Sequence, residues 1–164
     1  MSILNILTAP NEKLKIKANE VKNVQLVQGL IDDMLETMYN TDDGIGLAAT
    51  QVGRDEAIVV IDISEKRNEP LVLINPKVVN GEHKEKGSEG CLSVPGYRAE
   101  VERFTKVKVE AVDRNGEKIN VESDDFLAIV MQHEIDHLKG KLFIDYLSPL
   151  KRGVALKKVK KLMA

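Results

Sequence analysis

The sequence predicts an α+β fold, with antiparallel or mixed β-sheets packed around a central helix and a second helix closing the C-terminus. Three observations carry this. Apolar residues recur at three- and four-residue intervals in an early and a late segment. β-Branched runs fill the interval between them, and Asn115-Gly116 has the composition of a hairpin turn. The order helix, strands, helix, helix is that of hairpins packed on helices rather than of alternating βα units.

The elements follow in chain order. From Val24 to Met38 the residues Leu26, Val27, Leu30, Ile31, Met34, Leu35 and Met38 give one amphipathic helix. A polar turn, Asn40-Thr41-Asp42-Asp43-Gly44, leads into a glycine-containing segment. Ala57–Ile63 is a buried strand by its β-branched run. Leu71–Val79 and Thr105–Val112 are further strands, and Asn115-Gly116 turns the chain into Lys118–Val121. Ser123 or Asp124 is placed to cap a helix from Asp125 to about Lys139, with Gly140 as its stop. Ser148-Pro149 starts the last helix, with proline where its missing N–H costs least. There is no repeat, low-complexity tract or linker, so residues 1–164 are expected to form a single domain.

With 24 basic and 26 acidic residues, overall charge points to neither DNA nor a membrane surface. No apolar tract is long enough to cross a bilayer, and the first residues lack the basic start of an export signal; the expected location is cytoplasmic. Cys91 is the single cysteine, which excludes an internal disulfide. It is buried filler, a nucleophile or a metal ligand.

The strongest chemical signal is His133-Glu134-Ile135-Asp136-His137, inside a predicted helix. Residues four apart share a helix face, so both imidazoles can meet one ion, with Glu134 beside them to handle a proton. Phe126, Leu127, Ile129, Val130 and Leu138 make the helix largely buried, which argues against two chance surface histidines. Catalytic sites usually take three protein ligands. Asp145 is the only acid downstream, and His83 lies in the charged stretch Gly81–Glu85, as a surface histidine would. Cys91 is the better third ligand, because thiolates bind first-row metals strongly and Gly90 allows a close backbone approach.

The segment Gly44-Ile45-Gly46-Leu47-Ala48-Ala49-Thr50-Gln51 has the spacing of a dinucleotide loop, but a helix and a polar turn precede it where that fingerprint needs a strand. It is either a tight turn with small core residues or a cleft edge with exposed backbone and the Gln51 amide.

Three segments in this order, Gly44–Gln51, Glu89-Gly90-Cys91-Leu92-Ser93 and Gln132–Leu138, together resemble the three motifs of the peptide deformylase family, in its compact bacterial form. The resemblance implies an enzyme that removes the N-formyl group from the methionine starting a new polypeptide. It implies that Cys91, His133 and His137 bind one divalent metal, Fe²⁺ as a rule with Zn²⁺ or Ni²⁺ able to substitute, and that Glu134 is the catalytic carboxylate. Gln51 and the Leu92 N–H would form the oxyanion site. The substrate would lie along Ile45, Gly46 and Gly90, with Phe126, Ile129 and Val130 as a wall of the methionine pocket or as plain core. The chain departs from the pattern at Gly87-Ser88, where a larger apolar residue is usual two positions before Glu89, so that wall is expected to be thinner. Glu89 and Arg98 are expected behind the ligands or at the rim, or as structural ion pairs. The tail from Lys151 carries six basic residues and no acid, with Leu150, Val154, Ala155, Val159 and Leu162 as an apolar stripe. It is either a docked solvated helix or a contact for ribosomal RNA. Two rivals remain at this level: a metallopeptidase that would not need Cys91, and a domain with a closed structural metal site.

Overall fold

The computed structural model describes residues 2–164. Its centre is one five-stranded antiparallel sheet in which spatial order follows chain order: β1 (Gly46–Ala48), β2 (Ile58–Ile61), β3 (Leu71–Cys91), β4 (Val94–Val112) and β5 (Lys118–Ser123). Helices α1 (Gln28–Tyr39) and α2 (Phe126–Leu138) cover opposite faces of its inner half, and α3 (Pro149–Leu162) lies against the long hairpin.

β2 shows how the layers arise. Alternate strand residues face opposite sides. Ile58 and Val60 pack with Leu30, Ile31, Met34 and Met38 of α1, whereas Val59 and Ile61 pack with Ala128, Met131 and Ile135 of α2. A strand covered on both faces must be apolar throughout, which is why Ile58-Val59-Val60-Ile61 is an unbroken run. Each such fully buried aliphatic contributes about 1.5–3 kcal/mol, so this shared strand helps hold both helices.

The early helix differs from expectation at its start. Residues Val24–Val27 form a 3₁₀ turn, with the Asn23 side chain accepting from the Gln25 N–H, and the α-helix begins at Gln28. Leu26 in that turn is 81% exposed and leaves the apolar face. The cap of α2 is Asp125, not Ser123 or Asp124. Its carboxylate accepts from the Leu127 N–H and from the Ser123 hydroxyl, which makes Ser123 a support for the cap. Gly140 ends the helix as expected, at φ +77°, where a Cβ would fall 2.3 Å from the Lys15 carbonyl oxygen.

β3 and β4 run far beyond the predicted Leu71–Val79 and Thr105–Val112. They form one hairpin closed by a turn at Leu92-Ser93, with irregularities near Asn75-Pro76 and before Cys91. From Glu82 to Ser88 every β3 residue is exposed, so no hydrophobic alternation marks that half of the strand. α3 is capped by Ser148, which accepts from the Lys151 N–H. Only Ala155 and Val159 of its expected stripe are buried; Leu150, Val154 and Leu162 remain exposed. No helix of the described residues is long and apolar enough to cross a membrane.

Candidate active site

α2 presents His133 and His137 one turn apart toward the end of β3, where Cys91 precedes the hairpin turn. The three ligand atoms lie within 4.8 Å of one another. His137 Nε2 is 3.2 Å from His133 Nε2 and 3.4 Å from Cys91 Sγ. Asp145 and His83, the other sequence candidates, are outside this cluster; His83 is exposed on β3, and Asp145 accepts from the Leu142 N–H. Two facing imidazole nitrogens and a thiol are a donor set for one divalent cation of borderline softness.

The orientation of His133 has a visible cause. Its Nδ1 donates to Glu89 Oε1 at 2.9 Å, which leaves Nε2 for a metal. Glu89 is itself held by a two-point Arg103 clamp, Nε to Oε2 at 2.8 Å and Nη2 to Oε1 at 2.9 Å. Arg103 Nη1 donates to Asp136 at 2.5 Å, and Asp136 also accepts from the Tyr146 hydroxyl at 2.7 Å. Gln132 adds a second tie between helix and sheet, donating to the Phe104 carbonyl and accepting from its N–H.

Burial and charge set the protonation of these groups. Burial alone would raise Glu89, but the hydrogen bonds and charges of Arg103 and His133 outweigh it and hold the carboxyl below its ordinary value. Arg103 is correspondingly raised, its burial overcome by Glu89 and Asp136. Glu134 has no such clamp. Burial pushes it up to about 7, and its Oε1 has no hydrogen-bond partner. Burial lowers His137, helped by the neighbouring charges of His133 and Arg103, which favours its neutral imidazole. His133 is raised despite burial by the Cys91, Glu89 and Glu134 groups around it.

The cluster opens into a cleft of about 630 Å³. Ile45, Gly46, Gly90 and Leu92 line it from the sheet side, and Phe126, Ile129, Val130, His133 and Glu134 line it from α2. The residues expected along the substrate, Ile45, Gly46, Gly90, Phe126, Ile129 and Val130, thus line one cleft, whereas Gln51 is not in its lining. Gly46 is there for closeness: a Cβ at this position would lie 2.5 Å from Glu134 Oε2. Gln51 sits deeper. Its carbonyl accepts from the Ala48 N–H at 2.9 Å, which turns its amide toward Ser93 Oγ at 3.0 Å and Cys91 Sγ at 3.5 Å. Arg98 is at the rim, donating to Ser88.

Arg103, Asp136 and Tyr146 were not singled out by the sequence reading. Arg103 had a signal: it occupies an inward position of the alternating series that includes Val101, Val107 and Val109, and a buried cation requires partners. Asp136 lies inside the His133–His137 segment but is used by Arg103, not by the ligand cluster.

A candidate Cys/His/His ligand set beside a buried glutamate of raised pKa at an open cleft is the arrangement a metal-dependent hydrolase requires. The sequence matches the family model described as polypeptide deformylase over residues 3–153. It is 67% identical over 161 residues to "Peptide deformylase 1" of Vibrio vulnificus, covering 98% of this chain and 96% of that one. It is 62% identical to "Peptide deformylase 3" of Shewanella oneidensis, covering 98% and 99%. The crystal structure of a peptide deformylase from Legionella pneumophila superposes with a TM-score of 0.95 at 44% identity, covering 99% of this chain and 96% of that chain. The Ehrlichia chaffeensis enzyme in complex with actinonin gives 0.93 at 43%, covering 98% of each. The chain belongs to the polypeptide deformylase family.

Proposed function

We propose that the protein hydrolyses the N-formyl group from formyl-methionine at the start of nascent polypeptides, releasing formate. The observation that carries this is the convergence of Cys91, His133 and His137 beside Glu134 in one cleft. Cys91, His133 and His137 would hold one divalent ion, Fe²⁺ as the physiological choice with Zn²⁺ or Ni²⁺ as substitutes; that ion would supply Lewis acidity and bring water ionisation into the neutral range, ~7. Glu134 takes the proton of the attacking water and passes it to the amine nitrogen as the C–N bond of the formamide breaks. A carboxyl pushed up to about 7 is suited to both halves of that transfer. The developing oxyanion is met by the Leu92 N–H and by the Gln51 amide hydrogen that otherwise makes only the long 3.5 Å approach to Cys91 Sγ.

The peptide backbone runs along Ile45, Gly46 and Gly90 as an added strand, and the methionine side chain packs on Phe126, Ile129 and Val130. Residues 1–164 act as one catalytic domain in the cytoplasm. The six basic residues of the tail, with no acid among them, suit α3 to ribosomal RNA near emerging chains. The test is anaerobic purification with metal analysis, then formate release from formyl-Met-Ala. Wild type should release formate, and Glu134→Ala should keep metal yet lose activity; equal activity in both would refute the mechanism. A metallopeptidase would instead cut the unformylated peptide.

A further inference from the structure

The cleft does not end at the wall made by α2. A second cavity of about 320 Å³ adjoins it, and Ser88, Glu89, Phe126 and Ile129 line both. Strand geometry explains the second space. Residues two apart on a strand share a face. Glu89 faces α2, because it bonds His133 there, so Gly87 faces α2 as well. The cross-strand neighbour of Gly87 is Val101, which is buried. Position 87 therefore lies in the row directed toward α2, but it is exposed and has no side chain, so the space beside it is open. A Cβ built there meets nothing within 4 Å. Its backbone is not left-handed and no neighbour presses on it, so neither turn geometry nor close approach demands glycine. Across the gap, Phe126 remains 55% exposed on the helix.

We propose that the gap at Gly87 extends the pocket for the substrate's first side chain, so that N-formyl peptides whose first residue is unbranched and longer than methionine are accepted. This rests on the deformylase reading and deepens it. Val101, Phe126 and Ile129 are the apolar lining of the extension. Its charged lining is Glu85, Glu89, Asp124 and Asp125 against Lys86 and Arg103, an excess of acid that disfavours a side chain ending in a carboxylate. The selectivity lives in a missing side chain rather than a present one.

The test compares kcat/KM for formate release from formyl-norleucyl-Ala and formyl-2-aminooctanoyl-Ala, which differ by two methylenes. Wild type should use the longer substrate within about threefold of the shorter. One methylene in a tight pocket is worth ~10- to 200-fold, so Gly87→Ile should depress the long-to-short ratio by at least tenfold, with Gly87→Ala intermediate. Thermal melts establish that the variants fold, and if Gly87→Ile does not, the Gly87→Ala ratio decides. A wild type that already discriminates tenfold against the longer chain, or a ratio unchanged in the variants, overturns the proposal. Failure of wild type on formyl-Met-Ala itself would instead overturn the deformylase reading.

Discussion

Gly46→Ala is a single methyl placed where the structure has no room for it. The added Cβ would lie 2.5 Å from Glu134 Oε2 and 2.9 Å from Cδ. Carbon and its non-bonded neighbours are comfortable at about 3.5 Å, so the carboxylate must withdraw by about 1 Å. Glu134 lines the cleft but is only 4% exposed, so its carboxylate has no open solvent to retreat into and the withdrawal displaces it from its position there. Misplacing a catalytic group by about 1 Å costs ~100-fold, which corresponds to ~2.7 kcal/mol of transition-state stabilisation. The assay is kcat/KM for formate release from formyl-Met-Ala, with metal content and thermal melting measured on the same preparations. Metal content should equal that of wild type, because none of the three ligands is touched. Activity within threefold of wild type, with metal retained, would refute the claim that Gly46 exists to let Glu134 approach.

Other perturbations separate the supporting layers. Glu89→Gln removes the charge that orients His133 and should weaken metal binding by ~10- to 100-fold in a chelator competition. Arg103→Met leaves the buried Glu89 without its clamp and should destabilise the fold by about 3–5 kcal/mol in denaturant unfolding; a loss under 1 kcal/mol would mean the pair is dispensable. Adding Zn²⁺ at 100-fold excess over its Kd should stabilise metal-free wild type by ~2.7 kcal/mol in calorimetry, and Cys91→Ala should lose most of that gain. Asp62 is buried, which by itself would raise its carboxyl, but hydrogen bonds from Ser64, Tyr39 and the Glu69 N–H outweigh burial and hold it below its ordinary value. Its stabilisation is therefore complete above the unfolded value of ~3.9 and lost as pH falls through the lower folded one. Asp62→Asn should cost about 1–3 kcal/mol at pH 7, with the difference closing in acid; a gap that stays constant down to pH 2 would contradict this.

What the sequence made legible was whatever repeats locally. The helical spacing around His133, the unbroken run at β2, the stop at Gly140 and the start at Ser148-Pro149 all follow from short-range periodicity or caps. The clustering of Cys91, His133 and His137 was legible because chemistry restricts metal-binding side chains to few residue types. The outer half of the β3–β4 hairpin was not legible. Residues Glu82–Ser88 have no layer covering them and so carry no pattern; only pairing with Glu100–Lys106 makes them strand. The Arg103 network was missed for the same reason, since its partners Glu89, Asp136 and Tyr146 come from three separate elements. The caps near Asp125 were off by a residue or two because Ser123, Asp124 and Asp125 are all good acceptors, and local composition does not rank them.

The ligands are divided between two elements made at different times. Cys91 and Glu89 end a hairpin whose strands can pair as soon as they leave the ribosome, whereas His133 and His137 arrive on a helix about 40 residues later, a matter of seconds at ~5–20 residues per second. During that interval the thiol is in place with neither imidazole to share an ion with it. An enzyme of this design thus has a short infancy in which its only thiol is unguarded, and oxidant present during synthesis would do more harm than the same dose given to the finished protein. Pulsing peroxide during and after translation, and counting oxidised Cys91 in each, would measure the difference.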